Sequence, residues 1–418
     1  MSKIYDIIIV GAGLSGIDAA YHTQTNCPDK NYLIFEGRSN IGGTWDLFKY
    51  PGIRSDSDMY TLGFPFYPWK NPKAIADGPS ILSYIKETAA HFGINKKIKF
   101  NHKVINANWS DEEKLWTLSI AAHENVNETT YKTKFLFMTT GYYNYSKGYQ
   151  PEFKNSSNFK GEIIHPQQWD TSLNYENKKI VVIGSGATAI TLVPEPAKKA
   201  QHVTMLQRSP TYLIYMPSED KIANKLNKVL PKKIAYSLIK WKSVLTSILF
   251  YNLSRKWPEK VKDFLLKGVE RQLNDKEQIK HFTPTYNPWD QRLCVTPDGD
   301  FFKAIRKETA SIVTDTIQEF NETGILLNSG KQLDADIIVS ATGLDLQLLG
   351  GMKGSINGEE IDTSKVYSYK GVMFSGVPNF GIAIGYTNAS WTLKCDLNCE
   401  YFTRLIKYMD NNNYSVCK

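Results

Sequence analysis

Two glycine-rich runs carry the first chemical hint: GAGLSG at 11–16 and GSGATA at 184–189. Glycines at this spacing let backbone N–H groups come close to a pyrophosphate, and a helix opening behind the turn favours the negative charge. Gly11, Gly13 and Gly16 would form the first turn, and Gly184, Gly186 and Ala189 the second. About 20 residues beyond Gly16 stands Glu36, placed to accept hydrogen bonds from ribose hydroxyls. The corresponding strand end of the second run carries Gln207 and Arg208. A carboxylate repels a 2′-phosphate whereas an arginine binds one bidentately, so the first site fits FAD and the second fits NADPH. The plainer alternatives are a salt-bridged surface Glu36 and an Arg208 that caps a turn.

Such turns work only between a strand and a helix, and the sequence supplies both twice. The apolar run YDIIIV at 5–10 precedes the first turn, a helix follows from residue 17, and a strand at 32–35 ends at Glu36. The pattern restarts with KIVVI at 179–183 and HVTML at 202–206, although Pro194 and Pro196 predict a short or kinked helix between them. Alternating segments at 98–109, 114–121 and 130–139 predict a small antiparallel meander inserted into the first domain. A third apolar strand, ADIIVSATG at 335–343, leads the chain back from the second domain to the first, and a last helix spans about 392–410.

The predicted fold is therefore α/β, with two Rossmann-like dinucleotide-binding domains, a β meander and a helical insertion. The expected boundaries are 1–145 and 344–418 for the FAD domain, 146–212 and 296–343 for the NADPH domain, and 213–295 for the insertion. Within the insertion, residues 221–282 are helical and basic. Ile234, Leu238, Trp241, Leu245, Ile248 and Leu249 recur at helical spacing. A buried stripe is the expectation there. An interfacial helix touching a membrane surface is the alternative, because Lys232, Lys233, Lys240, Lys242, Arg255 and Lys256 surround the stripe.

Composition supports a multi-domain enzyme. In 418 residues, 42% are apolar and 22% charged, which excludes a disordered or fibrous chain. The net charge of +8 is too modest to select a partner, the lysines are scattered, and no nucleic-acid motif appears. Five cysteines make no disulfide framework, no leader is evident, and no apolar run reaches the roughly 18 residues of a membrane span, so a cytoplasmic protein is expected. Nothing in the spacing sets an oligomeric state.

Two nucleotide sites in one chain suggest a flavin reduced by a nicotinamide, which leaves the electron acceptor to be found. A disulfide oxidoreductase needs a redox CxxC, and none is present; Cys395 and Cys399 are one helical turn apart and fit ordinary packing. Zinc-deaminase, nucleophile-elbow and P-loop patterns are also missing, and no metal site is expected. Molecular oxygen is the remaining common acceptor. Just before the second nucleotide unit, Phe159, Gly161, His165, Trp169 and Asp170 match FxGxxxHxxxW(P/D). The run GGTWDLFKYPGIRSD at 42–56 is too rich in turn residues for regular structure and too aromatic for a plain linker.

These residues resemble the fingerprint of type I Baeyer-Villiger monooxygenases, class B flavoproteins that use FAD, NADPH and O2, and the likeness covers nearly the whole chain. The resemblance implies FAD contacts at Ser15, Glu36, Thr44, Trp45, Asp46, Leu47, Asp56 and Val104. It implies NADPH contacts at Arg54, Ser55, Asp56, Ile183, Gly184, Ser185, Gly186, Ala187, Thr188, Ala189, Gln207 and Arg208. Through YNPWDQRLC it implies Arg292 as the active-site cation, with Asp56 as its partner beside the flavin.

In that chemistry a flavin C4a-peroxide attacks a ketone, and a cation that cannot lose its proton stabilises the negative adduct. A surface ion pair with Asp290 is the alternative for Arg292. Sulfides and thioamides are implied as further substrates. His165 and Trp169 are expected to couple domain movement rather than to make bonds. Relatives in the family continue about half a domain beyond the final helix, so the second FAD segment is expected to be shortened. The rival readings are an N- or S-hydroxylating flavin monooxygenase without ketone activity, and a degenerate flavoprotein that serves as a binding partner.

Overall fold

A computed structural model of the chain describes residues 3–122, 125–291 and 293–418. Strand β1 (Ile4–Val10) feeds helix α1 (Leu14–Asn26), which returns to β2 (Tyr32–Phe35), parallel to β1. Ile7, Ile8 and Ile9 are fully buried, because the sheet is covered on both faces; this is why the strand is a continuous apolar run rather than an alternating one. Helix α2 (Gly78–His91) packs against α1, and β3 (Ile98–Lys99) extends the edge beside β2.

The expected meander is β4 (His102–Ser110), β5 (Leu115–Ala122) and β6 (Asn125–Met138). It joins the nucleotide sheet rather than standing apart, because β6 is long enough to pair antiparallel with β5 and then parallel with β1. Trp109 and Trp116 face each other across β4 and β5 and fill the core beneath it, with no exposed surface.

The second unit is a wholly parallel sheet. It is built from β7 (Glu162–Ile164), β8 (Lys179–Ile183), β9 (His202–Gln207), β10 (Ala310–Thr314) and β11 (Ile337–Ser340), in the order β10-β9-β8-β11-β7. Its turn opens helix α3 (Ala187–Leu192), which stops after six residues and gives way to a 3-10 turn at Pro196–Lys198, as the prolines demand.

Between β9 and β10 lie α4 (Lys221–Val229), α5 (Lys232–Lys256), α6 (Pro258–Glu270) and α7 (Asp300–Arg306). Beyond β11 the chain returns to the first sheet as β12 (Lys353–Ile356) beside β4 and β13 (Phe380–Ile382) beside β6. Helix α8 (Trp391–Asn411) lies along α1 and is followed by an irregular stretch to Lys418.

One expectation fails. The apolar stripe of α5 is not buried: Ile234, Leu238, Trp241, Leu245, Ile248 and Leu249 are each between 50% and 60% exposed. The helix instead buries the small residues Ala235, Ser243 and Ser254 together with Ile239. Small side chains let α5 lie close to α4, α6 and the turn at Met59–Leu62, and that contact turns the bulky stripe outward.

Candidate active site

The first turn is a tight cradle. Gly11 has φ +107°, and a Cβ there would come within 2.8 Å of the Thr139 carbonyl oxygen. A Cβ on Gly16 would sit 1.9 Å from the Gly11 carbonyl oxygen, so the third glycine lets α1 press onto the end of β1. Glu36 is buried at the end of β2, accepting from the Ala12 amide at 2.8 Å and the Arg38 amide at 2.9 Å. Burial raises its carboxyl above the ordinary range, against the pull of those amides and of the Arg38 charge. The carboxylate has lone pairs to spare, and it lines a cavity of about 310 Å³ with Gly11, Gly13, Arg38, Val104 and Tyr145. An open, polar-ended slot over a glycine turn fits the adenosine and pyrophosphate parts of FAD.

Other residues named for FAD surround this slot in supporting positions. Asp46 is buried and holds the Arg38 guanidinium at 2.6 Å, while Arg38 also donates to the Gly43 carbonyl at 3.2 Å. The Thr44 and Tyr143 hydroxyls share a hydrogen bond of 2.6 Å. Ser15 is buried under α8, and its hydroxyl accepts from the Trp391 indole at 2.8 Å. Arg38, Tyr143 and Tyr145 were missed in the sequence. They follow no motif, and only the meeting of the 42–56 loop with residues 141–146 reveals them.

That loop is irregular apart from one helical turn at Thr44–Leu47, and it joins the two units. A Cβ on Gly52 would lie 2.2 Å from the Thr191 carbonyl oxygen, so the loop rests directly on α3. The Tyr50 and Thr191 hydroxyls are 3.3 Å apart. Arg54 pairs with Asp300 at the start of α7, so this arginine, named for NADPH, tethers the first unit's loop to the second unit. A cleft of about 870 Å³ opens between them, walled by Trp45, Phe48, Tyr50, Ile75 and Leu82 and rimmed by Arg54, Asp300 and Lys303.

The second turn is looser. Gly184 has φ +135° and approaches the Ala341 carbonyl, but nothing lies within 4 Å of a Cβ placed on Gly186. Ser185 donates to the Ser209 carbonyl at 3.1 Å, and Ile183 and Ala189 are buried in the sheet's two cores. Gln207 is 1% exposed and turns its amide inward, to the His281 carbonyl at 2.7 Å and the Thr314 hydroxyl at 2.9 Å. Arg208 is exposed beside it. An open glycine turn with an exposed arginine at the strand end fits a phosphorylated ribose.

The fingerprint residues sit in the connection between the units. Phe159 and Trp169 are buried in different cores, and a Cβ on Gly161 would strike the Asp336 carbonyl and the Phe159 ring. His165 accepts from the Gln167 amide through Nδ1 at 3.2 Å and donates through Nε2 to the Gly343 carbonyl at 3.1 Å. Its ring fills the space left by Gly148, and burial lowers its pKa below the ordinary value. Asp170 is exposed and caps the next turn through Ser172.

Ser55 is buried in a local turn with Ser57, and Asp56 is half-buried after it. Arg292 lies outside the described residues. Asp290 accepts from Arg255 at 2.6 Å.

A family model described as flavin-binding monooxygenase-like matches residues 5–409. The chain belongs to the flavin-binding monooxygenase-like family. Within this family it is 54% identical to the FAD-containing monooxygenase EthA of Mycobacterium tuberculosis, over all of this chain and 85% of that protein. It is 53% identical to a probable FAD-binding monooxygenase, AlmA, of Acinetobacter baylyi, over 99% of this chain and 83% of that one. The fold matches a steroid monooxygenase bound to NADP, with a TM-score of 0.82 at 22% identity over 99% of this chain and 87% of that one. An open structure of cyclohexanone monooxygenase matches with a TM-score of 0.80 at 19% identity, over 99% and 89%. This flavin-binding monooxygenase-like chain is thus a flavin-dependent monooxygenase with the α/β fold expected of it.

Proposed function

We propose that the chain is a Baeyer-Villiger monooxygenase that inserts one atom of O2 beside a ketone carbonyl, giving an ester or lactone. The observation that carries this reading is the pair of glycine turns joined by the 42–56 loop, which walls an aromatic cleft between the two units, and by a linker bearing the His165 fingerprint. Bound FAD, reduced by NADPH, supplies the activation of O2. Glu36, Gly13 and Val104 hold the flavin nucleotide; Gly186 and Arg208 hold the nicotinamide nucleotide. Trp45, Phe48 and Tyr50 exclude water and favour an apolar ketone.

Arg292 supplies a permanent cation where negative charge develops on the substrate oxygen, with Asp56 orienting it. His165 and Trp169 transmit movement between the units, which the packing of both residues in the connection supports. The boundaries given above remain our division of the chain into domains.

Mass spectrometry after incubating the FAD-loaded protein with NADPH, air and simple ketones tests the reading. Ester is expected, and R292A should keep FAD and NADPH oxidation but lose ester. Sulfides and thioamides are proposed as a second substrate class. Oxidation of these without ester from any ketone would favour the N- or S-hydroxylating alternative.

We further propose that the exposed stripe of α5 rests on an anionic lipid surface. Among the described residues no helix is long and apolar enough to cross a membrane. Lys242 and Arg255 are paired with Asp220 and Asp290, and Lys240 is half-buried toward Asp18 and Asp396, which leaves Lys232, Lys233 and Lys256 to meet lipid phosphates beside Trp241 and Leu245. Sedimentation with phosphatidylglycerol vesicles, but not phosphatidylcholine vesicles, is expected, and L245E should abolish it.

A further inference from the structure

Helix α1 carries Asp18 and His22 one turn apart, and α8 carries Cys395 and Cys399 one turn apart, with Asp396 beside them. The two helices lie against each other: the Cys399 Sγ is 4.0 Å from the Ser15 carbonyl, and Asn26 reaches the Thr403 hydroxyl at 2.9 Å. Asp18 lies in this seam between the two cysteines on one side and His22 with Asp396 on the other. Ligand atoms of Asp18, Cys395 and Cys399 lie within 4.8 Å of one another, as do those of Asp18, His22 and Asp396.

Asp18 is common to both groups. It is fully buried, and neither of its carboxylate oxygens has a hydrogen-bond partner. Its nearest polar neighbours are acids, thiols and the His22 Nε2, which stands 3.5 Å from Oδ1 and 2.8 Å from Asp396. Among the described residues, Lys240 on α5 is a cation whose charge is felt here, and it is only half-buried. A buried acid aimed into two thiols and an imidazole, whose oxygens accept no hydrogen bond among the described residues, is a group that a cation would satisfy.

We propose that Asp18, Cys395 and Cys399 hold a zinc-class metal ion, with His22 as the fourth ligand. Two sulfurs, one nitrogen and one carboxylate oxygen are a soft set that selects Zn²⁺ over Mg²⁺ or Ca²⁺. Bonds of about 2.0–2.3 Å put tetrahedral donors roughly 3.3–3.8 Å apart, so the seam must contract by about 1 Å to close on the ion. Asp396 now shares a hydrogen bond with His22 Nε2 at 2.8 Å and must release that nitrogen for it to reach the ion. Four protein ligands leave no open position, so the ion is structural. It clamps α8, whose Trp391 grips Ser15 in the first glycine turn, to the helix that turn opens. Spacing that fits plain packing along the sequence becomes a ligand set once the two helices meet.

The test uses the full FAD-loaded chain without NADPH or ketone, so its outcome is independent of the monooxygenase reading. After chelation and dialysis against Zn²⁺, elemental analysis should find about one zinc per chain. Co²⁺ in its place should give strong tetrahedral bands to the red of flavin absorption, with proton release on binding. D18N and C399S should lose both signals, while C27S and C294S keep them. H22A, at the edge of the seam, serves if C399S does not fold, and should weaken Zn²⁺ in chelator competition about tenfold or more. Absence of stoichiometric zinc and of cobalt bands in the folded wild-type chain would overturn the site, leaving Asp18 as a neutral buried acid. So would bands that survive D18N or that vanish in C27S.

Discussion

The two glycine turns are built on one plan and finished differently. In the first, α1 runs for 13 residues, Gly16 is pressed against backbone, and the strand-end acid is buried among amides. In the second, α3 runs for six residues, Gly186 faces open space, Gln207 is turned inward, and an exposed arginine is left at the rim. A nucleotide that stays through many turnovers needs a preorganised, desolvated cradle, whereas one that must leave each cycle needs an accessible cradle that binds mainly through surface charge. Under the proposed assignment, the first cradle suits a resident flavin and the second an exchanging nicotinamide.

The largest effect should come from G16A. With no room for a Cβ, the helix must shift, at about 1–3 kcal/mol or more, and the purified protein should carry little FAD by absorbance. Its counterpart G186A should change thermal stability by less than about 0.5 kcal/mol, because nothing stands in its way. Equal damage from the two would break the comparison.

Next, E36A leaves the buried Ala12 amide and the part-buried Arg38 amide without an acceptor. The expected loss is about 1–3 kcal/mol, seen as weaker FAD retention on gel filtration with NADPH KM unchanged in the flavin-loaded fraction. R208A should do the reverse, keeping FAD and raising the KM for NADPH roughly ten- to a hundredfold, with NADH little affected.

The smallest effect concerns the connection. Because burial lowers the His165 pKa, the neutral ring is favoured in the folded chain. Its contribution is complete above the unfolded value near about 6.5 and falls away as the pH drops through the lower folded value. Thermal unfolding followed from about pH 7.5 to about 5.5 should therefore show a smaller fall for H165Q than for the wild type. Identical slopes would remove His165 from the pH response.

Much of this architecture was legible before the fold. Residues 5–36 and 179–208 each form a continuous stretch in which strand, turn and helix are dictated by neighbours a few positions away. The early end of α3 was equally local, since Pro194 and Pro196 lack the N–H groups a helix needs. The stripe on α5 was legible as a stripe but not as a surface. Helical spacing says which residues share a face, and nothing in it says which face meets a neighbour; the small residues Ala235 and Ser243 made that choice.

The sequence by itself determined the two nucleotide turns, the difference in charge at Glu36 and Arg208, and the fingerprint from Phe159 to Asp170, because all are short-range patterns of rare residue types. Only the tertiary structure decided that Arg54 meets Asp300, that Tyr145 joins the slot over the first glycine turn, and that Asp18 faces Cys395 and Cys399. Those partners stand more than a hundred residues apart, or on loops without a motif. They meet because two sheets and the α1–α8 pair bury their apolar faces, a driving force set by area and not by the identity of the polar groups carried along.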